Sequence, residues 1–414
     1  MTDIAGTVPV IAVDKVQAVA LAVCTYYFGV WLKGKVGVLS RYSIPSPVVG
    51  GMSFAIVVSF LEYFNIVKVQ IDSTLQTVLM LGFFTTIGLM ASLRVVKDGG
   101  RLLLGFLLAV TVLVFLQNGM GMAIAEAMGF DKHYGILAGS VSMMGGLGTA
   151  AAFGPYFEET YGITGGTAVA FTAATFGMVA ALLIGGPFGE WCIRRYKVKT
   201  PDEVQQPEPE LHLPDDMDTD ITEQHASAKP NFTNEIMRAV SVTALAMGLG
   251  TIVSNFLGHY ITLPAYIGAM IVATVIRNVG DFSGMYKVEG KGLNAVADIT
   301  LVLFVTMAIN NLKLHELVHL ALPLVVILAC QTILMLIYAW TVLFTAFGRS
   351  YDAVMLSVGG IGFSMGATAN GLANMQAISE KYGSSPRAWL IVSVVGAFLI
   401  DLINAVVITW FGTL

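Results

Sequence analysis

The sequence predicts an all-α polytopic membrane protein: two inverted-topology repeats of five transmembrane helices, each repeat carrying a re-entrant hairpin. Three observations predict it. The chain is 56% hydrophobic and only 12% charged, with a mean hydropathy of +0.76, where soluble domains carry roughly 25% charged residues. Apolar stretches near the roughly 20 residues that a bilayer crossing needs recur along the chain, and none reads as a cleaved leader. Two halves resemble one another across a polar linker.

The first half, residues 1–199, contains candidate spans at Val10 to Leu32, Pro47 to Phe64, Thr74 to Ser92, Leu102 to Met128 and Gly166 to Glu190. The second, residues 235–414, contains Ile236 to Gly258, Leu263 to Ile276, Leu293 to Leu312, Leu317 to Phe347 and Ala388 to Phe411. Between them, residues 200–234 are rich in Pro, Asp, Glu and Gln without apolar periodicity, the pattern of a disordered soluble linker. Two further apolar regions, 134–160 and 351–381, are broken midway by glycine and small polar residues. A helical leg of about 13 residues reaches roughly 20 Å, short of a bilayer's hydrocarbon core, so each region is expected to enter and leave on one side.

Basic residues orient the chain, because Lys and Arg collect on cytoplasmic loops. With both termini external and both hairpins re-entrant, every one of the 22 basic residues except Lys15, Lys68, Lys132 and Lys313 falls on the cytoplasmic side together with the linker. A full crossing by the first hairpin would move Arg194, Arg195, Lys197 and Lys199 outside. The halves align from "IPSPVVGGM" at Ile44 to "LPAYIGAM" at Leu263, from Phe84 and Thr86 to Phe304 and Thr306, and from Gln117 to Gln331. The hairpins align best, "YGILAGSVS" at Tyr134 with "YDAVMLSVG" at Tyr351. An odd number of crossings per half inserts the second upside down, which is the architecture of secondary transporters.

Irregular backbone at membrane depth is tolerated only where protein or a wet cavity receives it, so the hairpin tips are the first candidate site. The first tip offers Ser142, Gly145, Gly146 and Thr149; the second offers Ser364, Gly366, Thr368, Asn370 and Asn374. Glycines admit close backbone approach, hydroxyls and amides supply neutral ligands, and helix N-termini favour a carboxylate. Helix-end carbonyls favour sodium, and Gly145 and Ala367 stand at such ends. Asp401 lies mid-span in "GAFLIDLINAVV", with Asn404 three residues on along the same helical face. A carboxylate at that depth costs on the order of 3 kcal/mol without a partner or cavity, so the pair is a candidate sodium site or proton relay. Gln117, Asn118 and Gln331 read equally as helix bridges or as substrate contacts, and Thr85, Thr86, Thr306, Asn310 and Asn311 read as structural. The three cysteines, Cys24, Cys192 and Cys330, form no metal or disulfide pattern and read as buried thiols. No phosphate loop, HExxH or GxSxG motif supports an ATP-driven pump or an enzyme, and no basic stretch supports nucleic-acid binding. A channel fits the opposed pair of hairpins less well than alternating access does.

The segments "RYSIPSPVVGG", "LGFFTTIGL", "GLGTAAAFGPYFEETYG", "GATANGLANMQAISEKYG" and "VGAFLIDLINAVVI" resemble, in the same order, those of the bacterial sodium/glutamate symporters. The resemblance covers almost the whole chain. It implies sodium-coupled uptake of glutamate across an inner membrane, no organic cofactor, sodium as the coupling ion, and a homodimer working by an elevator motion. Two departures bear on the substrate: Leu147 stands where that family has a histidine in the first loop, and Ala369 in "ATAN" where it has the proline of "ATPT". Another amino acid or a dicarboxylate, coupled to sodium or to protons, therefore stays open as cargo.

Overall fold

A computed structural model describes residues 9–37, 39, 44–94, 100–201, 232–257, 265–284, 286, 290–314 and 319–414. The described residues open with a short strand, β1 (Val10–Val13), pairing in parallel with β2 (Lys68–Ile71), Val10 opposite Lys68. The fold is otherwise helical as expected, but the start of the first expected span is corrected: Val10 to Val13 are apolar but extended. The helix α1 (Lys15–Lys35) begins only after Asp14, whose side chain caps the amides of Val16 and Gln17 while Gln17 returns its side-chain oxygen to the Asp14 amide. Next come α2 (Ser46–Tyr63), α3 (Thr74–Met90), α4 (Gly100–Ala127), the first hairpin, and α7 (Gly166–Tyr196).

The second half supplies α8 (Phe232–Leu257), α9 (Ala265–Ser283), α10 (Lys291–Asn310) and α11 (Ala321–Tyr338), which continues as a π-helical stretch to Ala346. After the second hairpin, the last span runs from α14 (Pro386–Val394) through a π segment (Val395–Leu399) into α15 (Ile400–Gly412). Among the described residues, eight helices are long and apolar enough to cross a bilayer; α3, at 17 residues, is a shorter apolar helix. The linker 202–231 lies outside the described residues, and its expected final residues, Phe232 to Asn234, already belong to α8. Helix α9 outruns the expected span by seven residues, to Ser283, because Arg277 and Asp281 pair at 3.0 Å one turn apart and the Ser92 hydroxyl donates to Asp281. Cys192 is buried as expected, whereas Cys330 is half-buried and Cys24 exposed.

The helices pack in two groups. One joins α1, α2, α3, α8, α9 and α10; the other joins α4, α7, α11, the last span and both hairpins. Each half of the chain thus contributes three helices to the first group, and two long helices and a hairpin to the second. The largest core runs through the second group and reaches Phe84 of α3 and Tyr266 of α9, whose rings stack at 4.5 Å.

Both hairpins are broken as their glycines suggest. In the first, α5 (Lys132–Ile136) passes into a π segment (Leu137–Val141) with Gly139 off the helical path, turns at Ser142–Gly145, and resumes as α6 (Gly146–Tyr161). In the second, α12 (Tyr351–Ser364) ends at Met365 and α13 (Thr368–Tyr382) starts after Ala367. Legs of 14 to 16 residues extend about 21 to 24 Å, less than a bilayer core.

Candidate functional site

The two tips meet. Gly146 opens α6 at φ +62°, and a Cβ there would collide with the carbonyl oxygen of Gly366 in the other hairpin. Gly177 of α7 receives the Met365 carbonyl just as closely, so glycine is what lets three backbones share this space. The head of α6 also abuts the first helix group, since Gly148 packs on Phe83 and Leu301. The break residues of both hairpins therefore lie together in the interior.

The second hairpin is fastened to α7 by its amides. Asn370 Nδ2 donates to Met178 O and Asn374 Nδ2 to Ala181 O, both at 3.0 Å, and both side chains are buried. The Thr368 hydroxyl donates to Gly396 O inside the last span's π segment. In the first tip, Ser142 Oγ lies 2.5 Å from Leu137 O and 2.8 Å from Ala170 O, so its proton is committed to backbone. The amides of Gly145 and Gly146 bond Ser140 O and Ser142 O; the next donors at the head of α6 are those of Leu147 and Gly148. Thr149, a turn inside α6, is buried. Ala367 caps α13 in extended backbone, and Gly366 is buried against Met178. The two positions that depart from the family pattern are not buried: Leu147 is partly covered and Ala369 is exposed.

The last span ties both hairpins together. Asn404 Nδ2 donates to Ser140 O at 3.0 Å, and Asn118 Oδ1 accepts from the Ser140 amide at 2.9 Å, so two amide side chains clamp the kink after Gly139. Asp401, one turn before Asn404, is half-buried, and among the described residues no hydrogen bond or ion pair reaches its carboxylate. Gln117 Nε2 donates to Ser364 O at 3.0 Å, and Gln331 Nε2 to Gln117 O at 2.8 Å. Gln117 and Asn118 thus act on backbone at the hairpin breaks, and Gln331 on the backbone of α4 at Gln117. By contrast, Thr85, Thr86 and Thr306 bond carbonyls of their own helices.

A cavity of about 560 Å³ opens between the two helix groups, against Gln76 of α3, Tyr156 of α6, Thr167 of α7, Tyr266 of α9 and Lys313. Gln76 Oε1, Thr167 Oγ1 and the Tyr266 hydroxyl are buried without a hydrogen-bond partner among the described residues. The volume suits a small polar solute. Nothing in the sequence singles out Gln76, Thr167 and Tyr266, whose only signal is polarity within apolar helices, scattered over three segments.

The model of the sodium/glutamate symporter family matches residues 11–384. The chain is 37% identical over 400 residues to a sodium/glutamate symporter of Escherichia coli (strain K12), covering 95% of this chain and 96% of that one, and equally similar to one of Shigella flexneri. It is 34% identical over 395 residues to a sodium/glutamate symporter of Haemophilus influenzae, covering 94% and 95%. With its apolar helices and two broken hairpins, this multi-pass membrane protein is a transporter rather than an enzyme, and it belongs to the sodium/glutamate symporter family.

Proposed function

We propose that the chain is a secondary active symporter that couples sodium entry to uptake of L-glutamate into a bacterial cell across the inner membrane. The observation that carries this, beside family membership, is the meeting of two broken hairpins tip to tip, with Gly146 against Gly366. In this reading the hairpins are re-entrant from opposite sides, the halves are inverted repeats, both termini are external and the linker is cytoplasmic. Amides at the heads of α6 and α13 receive a substrate carboxylate, with Thr149, Thr368 and the Asn370 and Asn374 oxygens alongside. Asp401, Asn404 and the carbonyls of Gly145 and Ala367 hold sodium.

Coupling follows if sodium steadies the geometry to which substrate binds, since a ligand of equal affinity for two states shifts neither. The division into two helix groups supports an elevator-like motion, the hairpin-bearing group sliding along the other and the cavity beside Gln76 serving as external access. The first group is then the place for a homodimer contact. A dicarboxylate or another amino acid is the second reading, favoured by Leu147 and Ala369 at accessible points of the two tips.

Purified protein in proteoliposomes tests both. Radiolabelled glutamate should accumulate only with an inward sodium gradient and be displaced by unlabelled glutamate. Sodium-independent uptake would remove the coupling, equilibration without accumulation would indicate a channel, and displacement by dicarboxylates but not by glutamate would favour the second reading.

A further inference from the structure

Around the end of α12, three buried oxygens have no hydrogen-bond partner among the described residues: Gln117 Oε1, Gln331 Oε1 and Ser364 Oγ. All three residues are at most 1% exposed. The nitrogen of each glutamine is fixed by donation to a backbone carbonyl, Gln331 to Gln117 O and Gln117 to Ser364 O, so each glutamine oxygen stays near the carbonyl that its nitrogen holds. Carbon–oxygen and carbon–nitrogen bond lengths hold the two ends of an amide about 2.2 Å apart, which keeps Gln117 Oε1 within about 5 Å of the Ser364 carbonyl. Only the Ser364 hydroxyl carries a proton for this set, and one proton cannot satisfy two amide oxygens. In the neighbouring cluster Asn404 Oδ1 and Ser140 Oγ lack partners among the described residues, and there a donor, Asn118 Nδ2, is unpartnered beside them.

The geometry points to a monovalent cation site formed by Gln117, Gln331 and Ser364 at the C-terminal end of α12. It is short of donors and rich in hard neutral oxygens. The helix end adds its negative pole, and backbone carbonyls there complete the coordination. Neutral ligands suit sodium better than a divalent ion, whose sites recruit carboxylates. The two glutamines are the repeat-related pair Gln117 and Gln331, so each half of the chain supplies one ligand arm. A cation here draws the end of α12 toward α4 and α11 and so sets the position of the second tip. The proposal rests on the sodium-coupled reading above and deepens it by adding an ion site distinct from Asp401.

Ser364→Ala is the sharpest variant, because its hydroxyl has no partner among the described residues and a structural role predicts no effect. Sodium chloride titrations of the detergent-solubilised protein, without glutamate and against choline chloride, read binding as a rise in melting temperature. The half-saturating sodium concentration should rise about tenfold or more in Ser364→Ala and in Gln331→Leu, each change removing one ligand. Gln331→Glu, which keeps an oxygen, should hold the wild-type value or fall below it. Wild-type sodium dependence in both Ser364→Ala and Gln331→Leu would overturn the site, as would wild-type protein whose melting ignores sodium. Sodium-dependent melting that Ser364→Ala weakens, together with sodium-independent uptake by the wild type, would keep the site and overturn the coupling.

Discussion

Replacing Gly146 with alanine is the sharpest mechanical test of the paired tips. The residue sits at φ +62°, where an L side chain costs about 1–2 kcal/mol. The added methyl also meets the carbonyl oxygen of Gly366, a backbone atom that yields only if a whole tip retreats. Backbone strain alone changes the balance between paired and separated tips by about 5- to 30-fold, before the collision is counted. Gly177→Ala isolates the second effect, because it adds a methyl against Met365 O without a positive φ. Gly186→Ala, in the same helix with nothing within 4 Å, is the control. Initial glutamate uptake into proteoliposomes and melting temperature should both fall in Gly146→Ala and Gly177→Ala and hold in Gly186→Ala. Uptake and melting in Gly146→Ala indistinguishable from those in Gly186→Ala would refute the idea that the tips work in contact.

Asn370→Ala and Asn374→Ala each remove a buried donor to α7 and should each lower unfolding stability by about 1 kcal/mol, seen as earlier melting; unaltered melting would show that hairpin and helix are held by packing alone. Asp281→Ala strips the carboxylate from a pair whose side chains are 8% and 13% exposed, and should cost about 3 kcal/mol with the transport of surviving protein unchanged. Asp401→Asn should raise the sodium concentration for half-maximal uptake, and an unchanged sodium response would assign Asp401 to structure.

Most of the spans were legible because crossing a bilayer demands little beyond apolar length, and the observed helices start and stop within a few residues of the hydropathy limits. The exceptions have tertiary causes. Val10 to Val13 are as apolar as a helix would be, and what makes them a strand is Lys68 to Ile71, more than fifty residues away. The extension of α9 hides two charges whose acceptability depends on each other and on Ser92. The hairpin breaks were visible as glycine clusters, because few other residues suit positive φ or such close backbone approach. Which polar side chains near them have free valence was not visible. Ser142, Asn370 and Asn374 look alike in sequence as ligands, yet their donors are taken up by Leu137, Ala170, Met178 and Ala181. Gln117 and Gln331 read equally as helix bridges or as substrate contacts, and their oxygens stand out only once the nitrogens are assigned.

The parallel strand pair has a practical consequence. It stitches Val10–Val13 to the segment between α2 and α3, so the start of the described chain is held by one body of helices. The other end is held elsewhere: His133, at the base of the first hairpin and stacked on Tyr161 at 4.1 Å, contacts Gly412 O through Nε2 at 3.2 Å. Fluorophores attached ahead of Val10 and beyond Leu414 would therefore ride on different bodies. Their energy transfer would test whether the two bodies shift against each other during turnover, as proposed, without labelling any residue inside the bilayer.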